Sequence, residues 1–200
     1  MQLYSVPLGY QNIGIGNFYS DSSDSFDEVA YFNSKNSTLL LRKFHASPDI
    51  EIGKLDKSIV VSKNLTPVGI ADFNGDGYSD ILWKNKNGMV SVLYIAENVS
   101  LWQDIAKLAK NEVLVAAGDF VGDTASDFVI VNSKTALFTV YSFAKSGLIN
   151  KTTSQLTNGV IPGATLKIGD FDGDQKDEIV SLENYGNFWV LDRYSFDTNK

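Results

Sequence analysis

An acidic, glycine-containing loop recurs along this chain of 200 residues. Two close copies run from Asp72 to Asp80 and from Asp170 to Glu178, and a copy with substitutions runs from Asp119 to Asp127. A fourth, diverged copy begins at Asn17 and carries an insertion rich in Ser and Asp before Asp27-Glu28. Intervals of 55, 47 and 51 residues separate the phenylalanines at the second loop position, Phe18, Phe73, Phe120 and Phe171. A period of this size indicates a chain of four similar units.

Each unit keeps the same order of parts after its loop. A short apolar segment leads into a polar turn, and a second segment rich in β-branched and aromatic residues follows. This pattern predicts two strands joined by a hairpin turn. The first strands are predicted at Val29–Phe32, Ile81–Trp83, Phe128–Val131 and Ile179–Leu182, and the second strands at Thr38–Phe44, Met89–Ile95, Ala136–Phe143 and Asn187–Leu191.

The strand before each loop and an outer segment bring the count to four strands per unit. The outer segment is ambiguous at 100–108, because Leu101, Ile105 and Leu108 have helical spacing while the unit needs a strand. A helix and a strand both remain open there.

Four-stranded units at this period predict an all-β fold, a β-propeller of four blades with four antiparallel strands each. The repeats are expected at about 9–62, 63–110, 111–157 and 158–200, in a single domain spanning 1–200. Residues 1–8 are expected to join the last blade as its fourth strand and to close the ring. Alternatively, the chain is part of a longer propeller.

Composition limits the classes of partner. The net charge is −7 and no cluster of Lys and Arg appears, so nucleic acid is not an expected partner. No apolar run is long enough to cross a bilayer, and the N-terminal residues lack the pattern of a signal peptide. The absence of cysteine excludes disulfides and thiol catalysis.

The loop from Asp72 to Asp80 has the composition of a calcium site. Calcium takes six to eight oxygen ligands, and acidic or amide residues at alternate positions, with glycines for the bend, supply them from a short backbone. An EF-hand is excluded because position twelve is Trp83 instead of Glu. The expected ligands are the side chains of Asp72, Asn74, Asp76 and Asp80 and the backbone carbonyl of Tyr78.

The two close copies resemble the FG-GAP and VCBS repeats, the calcium-loop propeller blades of integrin α-chain head domains and of many bacterial surface and secreted proteins. The stretches that carry the resemblance are 71–83, ADFNGDGYSDILW, and 169–180, GDFDGDQKDEIV. The resemblance implies a propeller in which each loop joins the first two strands of a blade, and it implies a secreted or cell-surface location. It also implies a second calcium site made by Asp170, Asp172, Asp174, the carbonyl of Lys176, and Glu178.

The other two copies depart from the family pattern. The third loop has Val121 in place of an oxygen ligand and Thr124 in place of glycine, which leaves Asp119, Asp123 and Asp127. We expect that site to bind calcium more weakly or to stay empty. The first copy is too diverged for any ligand to be carried over.

Catalysis is not expected, because the one histidine, His45, has no identifiable partner and the best-placed carboxylates are assigned to calcium. A binding module is expected instead. Aromatic side chains can stack on sugar rings, and Trp102, Tyr185 and Trp189 are the predicted ligand-binding residues. A lectin-like carbohydrate binder is the leading interpretation, a protein-interaction module is the second, and a polysaccharide hydrolase or lyase is a distant third.

Overall fold

The computed structural model describes residues 6–18, 27–43, 56–96, 100–135, 137–143, 149–155, 165–184 and 189–194. Every regular element within these ranges is a β-strand, which confirms the all-β class. Within the same ranges there is no helix long and apolar enough to span a membrane.

Fifteen strands lie in the described residues and form four antiparallel sheets. In chain order the strands are β1 Gln11–Gly16, β2 Glu28–Asn33, β3 Thr38–Arg42, β4 Lys57–Val60, β5 Leu65–Ala71, β6 Asp80–Asn85, β7 Met89–Ile95, β8 Ser100–Lys107, β9 Glu112–Gly118, β10 Asp127–Asn132, β11 Leu137–Phe143, β12 Ile149–Gln155, β13 Thr165–Gly169, β14 Glu178–Asn184 and β15 Trp189–Tyr194. The sheets are β1–β4, β5–β8, β9–β12 and β13–β15, and strands adjacent in sequence are neighbours in each sheet.

The sheets follow the predicted order of parts. Each loop lies between the first and second strands of a sheet, and the polar turn after the second strand forms a hairpin. The ambiguous outer segment is strand β8, since pairing with a sheet edge overrides the helical spacing of its leucine and isoleucine residues. In the described residues the last sheet has three strands. Residues 1–5 of the segment predicted to complete it lie outside the described residues.

The chain divides into two compact units. The first consists of residues 1–71 and 77–106 and contains the sheets β1–β4 and β5–β8. Strand β1 lies against β5, and one apolar core includes side chains of both sheets. Its largest buried members are Trp83 and Phe18, and the ring of Phe32 meets Trp83 edge-on with centroids 5.0 Å apart.

The second unit consists of residues 72–76 and 107–200 and contains the sheets β9–β12 and β13–β15. Strand β13 lies against β9, and a core of Phe120, Phe138 and their aliphatic neighbours includes Ile179 of β14. A second aromatic group surrounds Phe143, whose ring lies 5.4 Å from Phe73 and 5.8 Å from Phe128. In this unit the Asp119 loop follows β9 and the Asp170 loop follows β13, the two strands through which the sheets contact each other.

Candidate metal centre

The loop from Asp170 to Glu178 gathers four carboxylates. One oxygen each from Asp170, Asp172, Asp174 and Glu178 lies within 4.8 Å of the other three. Two ligands on opposite sides of a calcium ion are about 4.6–5.2 Å apart, twice the calcium–oxygen distance. The donor set and its spacing therefore fit a single calcium ion. In the described residues, this is the one group of three or more acidic side chains with that spacing.

Backbone hydrogen bonds shape this loop. Asp170 accepts the N–H of Gly173 at 2.6 Å on one oxygen and the N–H of Gln175 at 3.0 Å on the other. Gly173 and Gln175 both have left-handed backbone angles, with φ of 81° and 69°. These left-handed residues occupy the fourth and sixth loop positions and bend the backbone between the acidic residues at the first, third and fifth positions. The bends bring the acidic side chains together, so the sequence pattern produces a cluster.

The side chain of Arg193 forms an ion pair with one carboxylate of the cluster. Arg193 of β15 donates to Asp172 at 2.7 Å, and both side chains are partly exposed. The ion pair offsets part of the negative charge and holds Asp172 by one oxygen. Its other oxygen accepts the N–H of Asp174 at 3.2 Å. The sequence contained no signal for this pairing, because the two residues are far apart in the chain.

The ninth loop position has a structural role that recurs in all four repeats. The residue there is a buried acid in each case, and its oxygens accept backbone N–H groups of the loop or of the third strand. The bonds are Phe18 to Glu28 at 2.8 Å, Ile95 to Asp80 at 3.0 Å, Phe120 to Asp127 at 3.0 Å, Phe143 to Asp127 at 3.2 Å, and Phe171 to Glu178 at 2.9 Å. Glu28 was not predicted from the sequence to have this role, although an acid directly before the first apolar strand residue is a usable signal.

The loop that begins at Asp72 is divided between the two units. In the second unit, Asp72 accepts the N–H groups of Gly75 at 2.7 Å and Asp76 at 3.2 Å, and the Asn74 side chain donates to Asp76 at 3.0 Å. In the first unit, Tyr78 is half-buried and Asp80 is fully buried. The proposal that these residues share one calcium ion remains a prediction.

The third loop keeps the backbone shape of the others. Thr124, with φ of 72°, takes the left-handed conformation that Gly77 takes at the same position, so the loss of glycine does not change the turn. Asp119 accepts N–H groups from Gly122 at 2.7 Å and Thr124 at 3.0 Å. In the described residues, Asp119, Asp123 and Asp127 do not gather as the Asp170 loop does.

Burial also sets the protonation of this loop. Burial raises the pKa of Asp127 to about 8, although the N–H groups of Phe143 and Phe120 favour its ionised form, and the charges of Asp123 and Asp119 raise it further. Burial likewise raises the pKa of Asp123. A carboxyl that holds its proton near neutral pH must release it before binding calcium. That the third site binds calcium more weakly or stays empty remains a prediction.

The diverged first repeat has a different arrangement at its ninth position. The ammonium group of Lys43 is buried 3.9 Å from the Glu28 carboxylate, which is also buried. Lys43 directly follows Arg42, the strand partner of Val29, just as Tyr94 follows Leu93, the partner of Ile81. A cation of the chain itself therefore stands beside the ninth-position acid in this repeat. At the equivalent place, burial and the nearby Asp80 raise the pKa of Tyr94 to about 12.

The predicted ligand-binding aromatics are only partly described. Trp102 lies on the outer strand β8, is 41% exposed, and has its ring 6.1 Å from that of the buried Trp83. Tyr185 and His45 lie outside the described residues. Trp189 is the first residue of β15, and its side chain is not among those described. That Trp102, Tyr185 and Trp189 share one ligand site remains a prediction.

Comparison with known proteins gives one match. Residues 68–94 match the family model for the FG-GAP repeat. The matched stretch runs from β5 through the Asp72 loop and β6 into β7. No curated protein and no solved structure shows significant similarity to the chain. The resemblance to the FG-GAP repeat family is thus confirmed for the repeat built around Asp72.

Proposed function

We propose that this protein is a calcium-stabilised interaction module of the β-propeller type. The observation that carries the proposal is the cluster of four carboxylates in the Asp170 loop, with oxygens within 4.8 Å of one another. Such a cluster is electrostatically unfavourable without a cation, and Arg193 offsets one charge of the four. The FG-GAP match on the Asp72 repeat and the four antiparallel sheets support the propeller.

Asp170, Asp172, Asp174 and Glu178 would hold the ion in the fourth repeat, with the carbonyl of Lys176 as a neutral ligand. Calcium supplies charge neutralisation there and ties the loop to strand β14. Asp72, Asn74, Asp76, Asp80 and the carbonyl of Tyr78 are proposed as the second site. Asp119, Asp123 and Asp127 are proposed as a weaker third.

We place the protein among binding modules without catalytic activity, at the cell surface or in the extracellular space. The resemblance to FG-GAP and VCBS repeats supports both assignments.

We further propose that the repeats close into a ring, with residues 1–8 supplying the fourth strand of the β13–β15 sheet.

A carbohydrate is the proposed ligand, bound in part by stacking on Trp102. Trp102 is 41% exposed and its ring lies 6.1 Å from that of the buried Trp83, so the residue packs on the core and is still partly accessible to a ligand. Tyr185 and Trp189 remain proposed contributors from the fourth repeat.

A protein partner is the second candidate. Leu101, the neighbour of Trp102 on the outer strand β8, is 62% exposed, and because successive strand residues point to opposite faces it offers an apolar contact on the other face of the strand. The two candidates differ in which of the two residues contributes, because a sugar needs the aromatic ring while a protein partner would also bury the leucine.

A glycan-array screen of the chain with millimolar calcium and with chelator tests the ligand. We expect specific sugar signals, a loss of at least tenfold in affinity for Trp102→Ala, and retained binding for Leu101→Ser and Trp102→Phe. The Leu101→Ser variant is the matched control, since it lies on the same strand. A blank array from protein that binds calcium by calorimetry would contradict the carbohydrate ligand and favour a protein partner. Absence of calorimetric calcium binding would contradict the metal site itself.

A further inference from the structure

Consecutive acidic loops are joined by a backbone hydrogen bond that recurs three times. The N–H of the eighth residue of one loop donates to the carbonyl of the first residue of the preceding loop. The instances are Ser79 to Asn17 at 2.5 Å, Ser126 to Asp72 at 2.6 Å, and Asp177 to Asp119 at 2.6 Å. The first bond lies within the first compact unit, and the other two lie within the second. The bond is therefore a regular feature of the repeats.

In the second unit, side chains reinforce the contact between the third and fourth loops. The Asp177 carboxylate accepts the N–H of Asp119 at 2.8 Å, so two hydrogen bonds hold these residues together. Gly118 leaves room for that carboxylate, because a Cβ at its position would lie 2.5 Å from an Asp177 oxygen. The side chain of Lys176 lies over Gly122, 3.0 Å from the Cβ position of that glycine. Lys176 and Asp177 are thus fixed against the loop of the third repeat.

The peptide group between Lys176 and Asp177 has a role at each end. Its carbonyl is a proposed calcium ligand of the fourth repeat, and its N–H makes the bond to Asp119. The C=O and N–H bonds of a trans peptide group point in opposite directions within one rigid plane. A single rigid group therefore joins the proposed ligand atom to the third repeat.

A second peptide group extends the connection to a buried acid. The Asp119 carbonyl that accepts the bond shares its peptide group with the N–H of Phe120, and this N–H donates to Asp127 at 3.0 Å. Hydrogen bonds in series polarise and strengthen one another, by about 10–30% per bond. A cation at the Lys176 carbonyl would strengthen both bonds of this series, because it draws electron density from the oxygen and makes the N–H a stronger donor.

We propose that calcium held by the Asp170 loop stabilises the loop of the third repeat through the peptide group between Lys176 and Asp177. The inference rests on the proposed calcium site in the fourth repeat and needs no ion in the third. With calcium bound, this peptide group is fixed, and the paired bonds between Asp177 and Asp119 pass the restraint on. Because linkage is reciprocal, the third repeat in turn raises the calcium affinity of the fourth. Asp177 is a positioning residue in this link, since it is not one of the proposed ligands.

Amide NMR spectra recorded during a calcium titration test the link. The chain for this experiment carries Asp123→Asn, which removes a candidate calcium ligand of the third loop and keeps the side-chain oxygen that bonds to the backbone. We expect the amide protons of Asp177 and Phe120 to move downfield with the same midpoint as those of the Asp170 loop. Asp174→Asn, which removes a proposed ligand of the fourth site, should abolish all of these shifts.

Calorimetry on variants of Asp177 separates positioning from charge. Asp177→Ala removes the acceptor of the Asp119 N–H, whereas Asp177→Asn removes the same charge and keeps an oxygen there. We expect Asp177→Ala to lower the calcium affinity about fivefold more than Asp177→Asn does, and to weaken the Phe120 shift. Gly118→Ala should lower the affinity from the third repeat, because its Cβ would displace the Asp177 carboxylate. Circular dichroism without calcium checks the fold of each variant.

The possible results distinguish the link from the site. Calcium binding with amide shifts confined to residues 170–178 would overturn the link and leave the calcium site in place. Equal calcium affinities of Asp177→Ala and Asp177→Asn would overturn the role of the Asp177 side chain. Absence of calorimetric calcium binding by the folded chain would contradict the site itself, and with it the proposed function.

Discussion

At the scale of single residues, the acid at the ninth loop position makes the same kind of hydrogen bond in every repeat. A buried acid there fastens the loop to the following strands through backbone N–H groups, in repeats with and without a complete set of calcium ligands. The acid therefore has two roles, as a hydrogen-bond acceptor within the fold and as a candidate metal ligand. The sequence pattern suggested only the second role, because the bond partners lie 7 to 16 residues away.

In the first repeat we expect Lys43→Met to lower the free energy of unfolding by about 3–5 kcal/mol, since removing one partner of a buried ion pair leaves the other charge uncompensated. Chemical denaturation measures the change. The double variant Lys43→Met with Glu28→Gln should recover much of the loss, because glutamine keeps an oxygen for the Phe18 N–H. Equal losses in the single and double variants would show that the pair is not coupled.

At the scale of a loop and its strands, the protonation of the candidate ligand Asp127 affects stability. In the third loop, Asp127 joins the start of the loop to the end of β11 through its two bonds. Its folded-state pKa of about 8 lies above the ordinary value of 3.8, so the folded state keeps a proton that the unfolded state releases as the pH rises from about 4 to 8. The contribution of Asp127 to the free energy of unfolding therefore falls with rising pH over this window.

We expect this decline to reach about 1–3 kcal/mol between pH 5 and pH 7 in calcium-free buffer, given about 1.4 kcal/mol per pH unit for one proton. Denaturation curves at the two pH values check it. Asp127→Asn, which does not titrate, serves as the reference for all other groups and should show a shallower decline. The same slope in both proteins would contradict the assignment of the proton to Asp127.

At the scale of the whole molecule, the strongest candidate metal centre lies in the second unit, on the sheet β13–β15. We expect calcium to slow amide hydrogen exchange most in the Asp170 loop and in β14, because ligation removes the repulsion among four carboxylates. A hundredfold excess of calcium over its dissociation constant would stabilise this part by about 2.7 kcal/mol. Mass-spectrometric exchange with and without calcium measures the pattern, and Asp174→Asn is the control that should abolish it. If calcium slowed amide exchange around Lys43 as much as in the Asp170 loop, the prediction would be wrong, because the cation near Lys43 is the lysine side chain itself.

The sequence by itself determined the all-β class, the order of parts in each repeat and the acidic loops, because alternation and Asp-Gly turns act over a few residues. Through the resemblance of 169–180 to the FG-GAP and VCBS repeats, it also placed Asp170, Asp172, Asp174 and Glu178 in one candidate site. Only the tertiary structure decided that 100–107 is a strand and that Arg193 pairs with Asp172. It alone distinguished the exposed Phe171 from the buried Phe18, Phe73 and Phe120, because burial depends on contacts between residues distant in the chain.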